Sequence, residues 1–289
     1  MKCSSECVVC IINNLNQIMD RFVPEDQDRI KEVRAILRHM YEFDFEKTPA
    51  SLWRYLYENT PRLTGGVDYY AEQKSIDNRN MLAKYDDFYA EVKAHPKPFH
   101  AAVRLAICGN IIDYTPAHGM DMDAVVKNAI NSELAIDHVD EMLRALKEAN
   151  HVLYLTDNAG EIVVDKLLIA LFIEEGILKP EQITVAVRKS PTLNDATMED
   201  AVEVGLTDLV KVIDNGDGVP GTELDHCSPA FREHYENADI IISKGMGNFE
   251  SLHSAKGKAI FFLLVNKCNN VARVLGVPLQ SFICTANYL

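Results

Sequence analysis

A short unbroken apolar run, Val152-Leu153-Tyr154-Leu155, is followed within a few residues by Ile162 to Ile173, where apolar residues return at helical spacing. A run of that length suits a strand buried on both faces, so strand, turn and helix follow directly on one another. The same alternation continues toward the end of the chain. It predicts strands at 151–156, 182–187, 209–213, 239–243 and 258–265, with a further candidate at 280–284 and helical stretches between most of them. Strands alternating with helices imply right-handed crossovers and a mostly parallel sheet. The expected fold class is α/β: a Rossmann-like, mostly parallel sheet with helices on both faces over residues 148–289.

Upstream, the period is helical. Ile11, Ile12, Leu15, Ile18 and Met19 mark one helix, 26–40 and 51–58 two more, and Pro24, Pro49 and Pro61 the breaks between them. Ala101 to Ile112 reads as another, ending near Asp113-Tyr114-Thr115-Pro116, and Met122 to Ala149 as one or two. Thr64 to Asp87 carries Gly65-Gly66 and many charges, which leaves both a loop and a short crossing helix open. No strand is demanded before His151, so residues 1–147 are expected to form an all-helical subdomain packed on the sheet.

In a parallel sheet every strand-to-helix turn lies on one edge, where ligands bind, so the polar residues after each strand should converge. The first turn is Thr156-Asp157-Asn158-Ala159-Gly160. An anion is favoured at the start of the following helix, yet Asp157 would repel it. A divalent cation removes the conflict, because Asp and Asn oxygens suit a hard metal and the metal attracts a phosphate. The second turn runs from Arg188 to Thr197, with Asn194 or Asp195 placed to start a helix including Ala196 to Val204, and Asp195 available as a third oxygen ligand. A third follows 239–243 and reads Lys244-Gly245-Met246-Gly247-Asn248-Phe249-Glu250. Two glycines after a lysine let N–H groups and an ammonium face an anion, although the P-loop spacing is absent. Taken singly, these turns are equally readable as an Asx cap, a helix N-cap and a solvated turn. Asp214 to Thr222, rich in glycine, lies on the same edge and reads as a loop lining the site or as an exposed turn.

Composition narrows the partners. Among 289 residues, 47% are apolar and 25% charged, ordinary for a globular chain, and 29 basic against 43 acidic residues leave a net charge of −14. That surface repels nucleic acid and anionic membrane and favours a small ligand held locally. No secretory leader pattern and no membrane-length apolar run is present, and the seven cysteines are an odd number for a disulfide framework, so a cytoplasmic protein with reduced thiols is expected.

Three of these segments in this order, Thr156-Asp157-Asn158-Ala159-Gly160-Glu161, Asn194-Asp195-Ala196-Thr197 and Ser243 to Glu250, resemble the signatures of the damage-control phosphatases, formerly a domain of unknown function. Glu6-Cys7-x-x-Cys10 and Arg104 to Asp113 resemble the stand-alone prokaryotic branch. The resemblance covers nearly the whole chain. It implies a metal-dependent phosphoric monoester hydrolase acting on sugar phosphates or on damaged or surplus phosphometabolites. By the same likeness Asp157, Asn158 and Asp195 would hold one divalent cation (Mn, Co, Ni or Mg), and Lys244 would contact the phosphate. Asp157, Asp195 and Lys244 would then be catalytic, with water or Asp157 itself as nucleophile. Gly245, Asn248, Glu250, Arg188, Asn110 and Asp113 are the further candidates for binding substrate. One departure is Met246, where many relatives carry Gln.

Cys3-x3-Cys7-x2-Cys10 has the spacing of radical iron–sulfur enzymes, but it enters a helix at the start of the chain with no barrel pattern after it. Cys7 and Cys10 are left as a structural metal pair or as buried thiols. Two rival readings are a nucleotide- or S-adenosylmethionine-binding Rossmann protein, disfavoured by the missing G-x-G-x-x-G after the first strand, and a non-catalytic metal-binding protein. Oligomeric state is not legible.

Overall fold

Seven strands form one sheet among residues 1–112 and 122–288, those described by this computed structural model: β1 (Ile136–Asp137), β2 (Val152–Leu155), β3 (Ile183–Val187), β4 (Lys211–Asp214), β5 (Ile240–Lys244), β6 (Ala259–Val265) and β7 (Phe282–Ala286). The order across the sheet is β1-β7-β6-β5-β2-β3-β4, parallel throughout except where β6 meets β7. From β2 the chain moves outward through β3 to β4, then returns to lay β5 and β6 on the other side. Strand order therefore reverses between β2 and β5, where the two following turns diverge and leave a crevice.

The described helices are α1 (Ser5–Phe22), α2 (Asp26–Glu42), α3 (Pro49–Thr64), α4 (Ala71–Leu82), α5 (Tyr85–Ala94), α6 (Pro98–Ile112), α7 (Met122–Asn131), α8 (Val139–Glu148), α9 (Glu161–Glu174), α10 (Met198–Glu203), α11 (Pro229–Asn237), α12 (Gly245–Leu252) and α13 (Asn269–Leu275). Helix α9 is apolar almost all round because α4, α5 and α6 cover the side turned from the sheet. The other face of the sheet is closed by α11, α12 and α13 through Phe231, Phe249 and Val271. No described helix is long and apolar enough to cross a membrane.

The mostly parallel α/β class expected from the alternation is what the chain adopts. The stretch 64–87, left between loop and helix, contains α4 and the start of α5. A strand does precede His151: β1 is only two residues long, too short to show a period, and it pairs alongside β7. Met81, Phe88, Val103, Ile130 and Met142 of α4–α8 share one apolar cluster with α9 and the strands, whereas Ile11, Leu15, Ile36, Leu52 and Leu56 of α1–α3 form a cluster of their own. The separate apolar cluster is thus that of α1–α3, while α4–α8 pack into the same cluster as α9 and the strands. Arg54 fastens that unit to the sheet side, donating to both oxygens of Asp217 at 3.0 and 2.7 Å and to Glu223 at 3.0 Å.

Candidate active site

Beyond β2 the chain is pinned to the segment that follows β3. Ala196 N–H donates to the Asp157 carbonyl and Ala159 N–H to the Asn194 carbonyl, both at 2.8 Å, and Asn158 and Asp195 form a single antiparallel bridge. Bridged residues have Cα atoms about 4.5–5.5 Å apart, so Asp157, Asn158 and Asp195 share one corner of the crevice. No side chain caps α9 at Gly160; the Gly160 N–H instead donates to the Asn78 side chain of α4 at 2.7 Å. Nor does Asn194 or Asp195 start the next helix, as the sequence suggested. Helix α10 begins at Met198, where Asp200 accepts from the Thr197 N–H and hydroxyl at 2.8 and 2.9 Å. Capping falls to those residues, and Asp195 faces Arg188.

Arg188 is 3% exposed, and its guanidinium donates to Asp195 Oδ2 at 2.7 Å, to Asn248 Oδ1 at 3.1 Å and to the Gly221 carbonyl. Asn248, also buried, donates to the carbonyls of Thr156 at 3.1 Å and Lys244 at 2.8 Å. Both were candidates for touching substrate. In this structure their polar atoms are engaged inside the protein, between β2, β5 and the Gly221–Thr222 segment.

Lys244 is engaged internally as well. The glycine-rich stretch after it is not a loop: Lys244 ends β5 and α12 starts at Gly245. Its side chain is fully buried, and Nζ donates to Glu161 Oε1 at 2.6 Å, Asp165 Oδ1 at 2.5 Å and the Ala106 carbonyl at 2.8 Å. An ammonium has three protons, and three acceptors take them. Glu161 and Asp165 lie one turn apart on α9 and face the sheet together, drawing the ammonium behind the pocket wall. Burial alone would lower the Lys244 pKa, but Asp165 and Glu161 outweigh it and hold it above the usual lysine range. Asp165 is pushed up to about 6 by burial, in spite of Lys244.

The pocket itself has a volume near 230 Å³ and is lined by Asp157, Asn158, Glu161, Asn194, Asp195 and the first turn of α12, Gly245 to Gly247. Burial, then the Glu161 and Asp195 carboxylates, raise the Asp157 pKa well above the ordinary range; burial also raises Asp195 against the pull of Arg188. Gly245 has φ +76°, and a Cβ there would lie 2.1 Å from Asp157 Oδ2, so only glycine lets α12 begin against that carboxylate. The donor set fits a dication. Asp157, Glu161 and Asp195 bring carboxyl oxygens to the pocket, which Lys267 also lines, while Lys244 and Arg188 are bonded to Glu161, Asp165 and Asp195 in the wall behind. The Asn158 amide nitrogen donates to Asp157 at 3.0 Å and Glu161 at 3.2 Å, which leaves its oxygen as the ligating atom. Among the described residues no three His, Cys, Asp or Glu side chains cage an ion by themselves, so a cation would take Asp157, Asp195, the Asn158 oxygen and water or substrate.

The remaining candidates are elsewhere. Glu250, Cys7 and Cys10 line a neighbouring cavity of about 350 Å³, where burial lifts Glu250 to about 8. Cys7 is buried and Cys10 exposed. Asp113 and the Asn110 side chain lie outside the described residues. Glu161 and Asp165, which the sequence does not single out as site residues, hold Lys244. Two acids at i and i+4 in a mostly apolar helix are the readable signal.

A parallel sheet with an acidic oxygen cluster at its switch point belongs to a known class. The sequence profile of the damage-control phosphatase ARMT1-like domain matches residues 3–282, and the chain belongs to that family. It is 33% identical over 291 residues to a damage-control phosphatase of Pyrococcus horikoshii, covering 99% of each chain. To a damage-control phosphatase of Archaeoglobus fulgidus it is 32% identical over 294 residues, covering 98% of each. The crystal structure of a DUF89 family protein from Pyrococcus horikoshii superposes with a TM-score of 0.87 at 32% identity, covering 99% of both chains.

Proposed function

We propose that the protein is a divalent-cation-dependent phosphatase of small phosphorylated metabolites, sugar phosphates or damaged phosphometabolites. Asp157, Asn158 and Asp195 would hold Mn²⁺, Co²⁺, Ni²⁺ or Mg²⁺. The observation that carries this reading is the backbone pinning of Asp157 and Asn158 against Asp195, which brings three oxygen-bearing side chains to one pocket. The names of the Pyrococcus and Archaeoglobus relatives support it. When bound, the cation would neutralise phosphoryl charge and make water a better nucleophile.

The chain's own residues do the rest. The first turn of α12 lines the pocket, and its N–H groups would suit the equatorial phosphoryl oxygens as charge develops. Arg188 fixes Asp195, and Asn248 ties Arg188 to the ends of β2 and β5. Lys244 acts from behind Glu161 as a fixed positive charge. Asp157 either attacks phosphorus, giving an aspartyl phosphate, or orients the attacking water.

Release of phosphate from p-nitrophenyl phosphate with each of the four metals tests the reading. Turnover that needs the metal and vanishes in Asp157→Ala supports it. A melting temperature raised by S-adenosylmethionine and by none of the metals would replace it with a cofactor-binding role.

A further inference from the structure

The cavity holding Glu250 and the cysteines adjoins the active-site pocket: Leu193, Pro220, Met246, Gly247 and Lys267 wall both. Its chemistry is different. Helix α3 presents Ala50, Trp53 and Tyr57, three and four residues apart and so on one face, with the Trp53 and Tyr57 rings stacked at 6.0 Å and 26°. Across from them α1 brings Cys7 and Cys10, and the residue capping α13 is Cys268. These aromatic and sulfur groups are soft, polarisable and poor in hydrogen bonds. Polar groups are fewer: Glu6, Glu250, Lys267 and Asn269 complete the lining. Glu6 pairs with Arg273 at 3.0 Å, and burial favours the neutral form of Glu250.

We propose that this cavity receives the non-phosphate part of the substrate and selects esters with a flat apolar leaving group over open-chain polyols. The proposal rests on the phosphatase reading of the adjoining pocket. A flat apolar ring can lie against the Trp53 and Tyr57 face and exchange water for carbon and sulfur contacts, which an open-chain polyol cannot do to the same extent. Size agrees: a cavity of about 150 Å³ takes benzene, and this one, near 350 Å³, has room for a substituted ring.

Trp53 is the only tryptophan of the chain, so its fluorescence reports on the cavity directly. With Mn²⁺ present, phenylphosphonate should quench Trp53 saturably and slow iodoacetamide alkylation of Cys10 severalfold, while methylphosphonate at the same concentration does neither. In turnover, phenyl phosphate should exceed glycerol 3-phosphate in kcat/KM by tenfold or more, and Trp53→Ala should erase most of that ratio. Cys10→Phe, at an exposed position that lines the cavity, should narrow it and lower the same ratio if Trp53→Ala does not fold. Phosphate release from both esters at equal efficiency, without quenching or protection, would overturn the subsite and leave the phosphatase standing. Quenching and protection without phosphate release from any ester would support the subsite and sink the phosphatase.

Discussion

Two buried cations flank the end of β2, Lys244 arriving from β5 and Arg188 following β3, and they are used in opposite ways. Lys244 is a point charge set between two carboxylates, Glu161 and Asp165, and a carbonyl, so its surroundings carry more negative charge than it supplies. Arg188 is a planar fork matched to one carboxylate, one carbonyl and the Asn248 side chain, so charge balances and direction is fixed. The Lys244 side sets the field of the pocket, and the Arg188 side sets the position of one of its oxygens. Asp157 lies between them and feels both.

The sharpest way to break this comparison is Lys244→Met. It leaves Glu161 and Asp165 buried without their cation, which should cost about 3–5 kcal/mol in urea denaturation and abolish activity. Adding Asp165→Asn to that variant should recover part of the loss, since one fewer charge is stranded. Native stability in Lys244→Met would show that the two carboxylates rest on something else. Arg188→Lys comes next, keeping the charge but losing the fork. Asp195 should lose its orientation, with a loss of about 10–100-fold in Mn²⁺ affinity by calorimetry and in kcat, as when a partner of a metal ligand is removed. Unchanged affinity would mean that Asp195 is positioned without Arg188.

Much of the α/β part was legible because buried strands such as β2 and β6 read as unbroken apolar runs between helical periods. The convergence of Asp157, Asn158 and Asp195 followed from the parallel topology alone, since turns after β2 and β3 must share an edge. Burial was not legible. Arg188, Asn248 and Lys244 read as polar residues near a ligand edge, and only packing shows that their donors point inward. Helix α10 misled for a local reason, because Asn194-Asp195 and Thr197 to Asp200 both resemble helix starts and the second pair does the capping. The two-residue β1 had no period to read.

The smallest expected effect separates the two sides by pH. Burial holds Asp165 at about 6, although the bonds from Lys244 and Tyr154 favour its charged form. An unfolded aspartate titrates near 3.9. Between about pH 4 and pH 6 the folded chain therefore keeps a proton that the unfolded chain has released, so this group's contribution is largest below pH ~4 and is lost as pH rises through about 6. Two pKa units correspond to roughly 3 kcal/mol at most. In Asp165→Asn that decline should disappear from urea midpoints measured without metal across this range, and its persistence would assign the titration to another acid of the cluster. Tyr154→Phe removes a single hydrogen bond to Asp165 of 2.7 Å. Its cost should be about 1–2 kcal/mol above pH ~6, where the acceptor is charged, and smaller below it. A cost independent of pH would show that Tyr154 matters through packing alone.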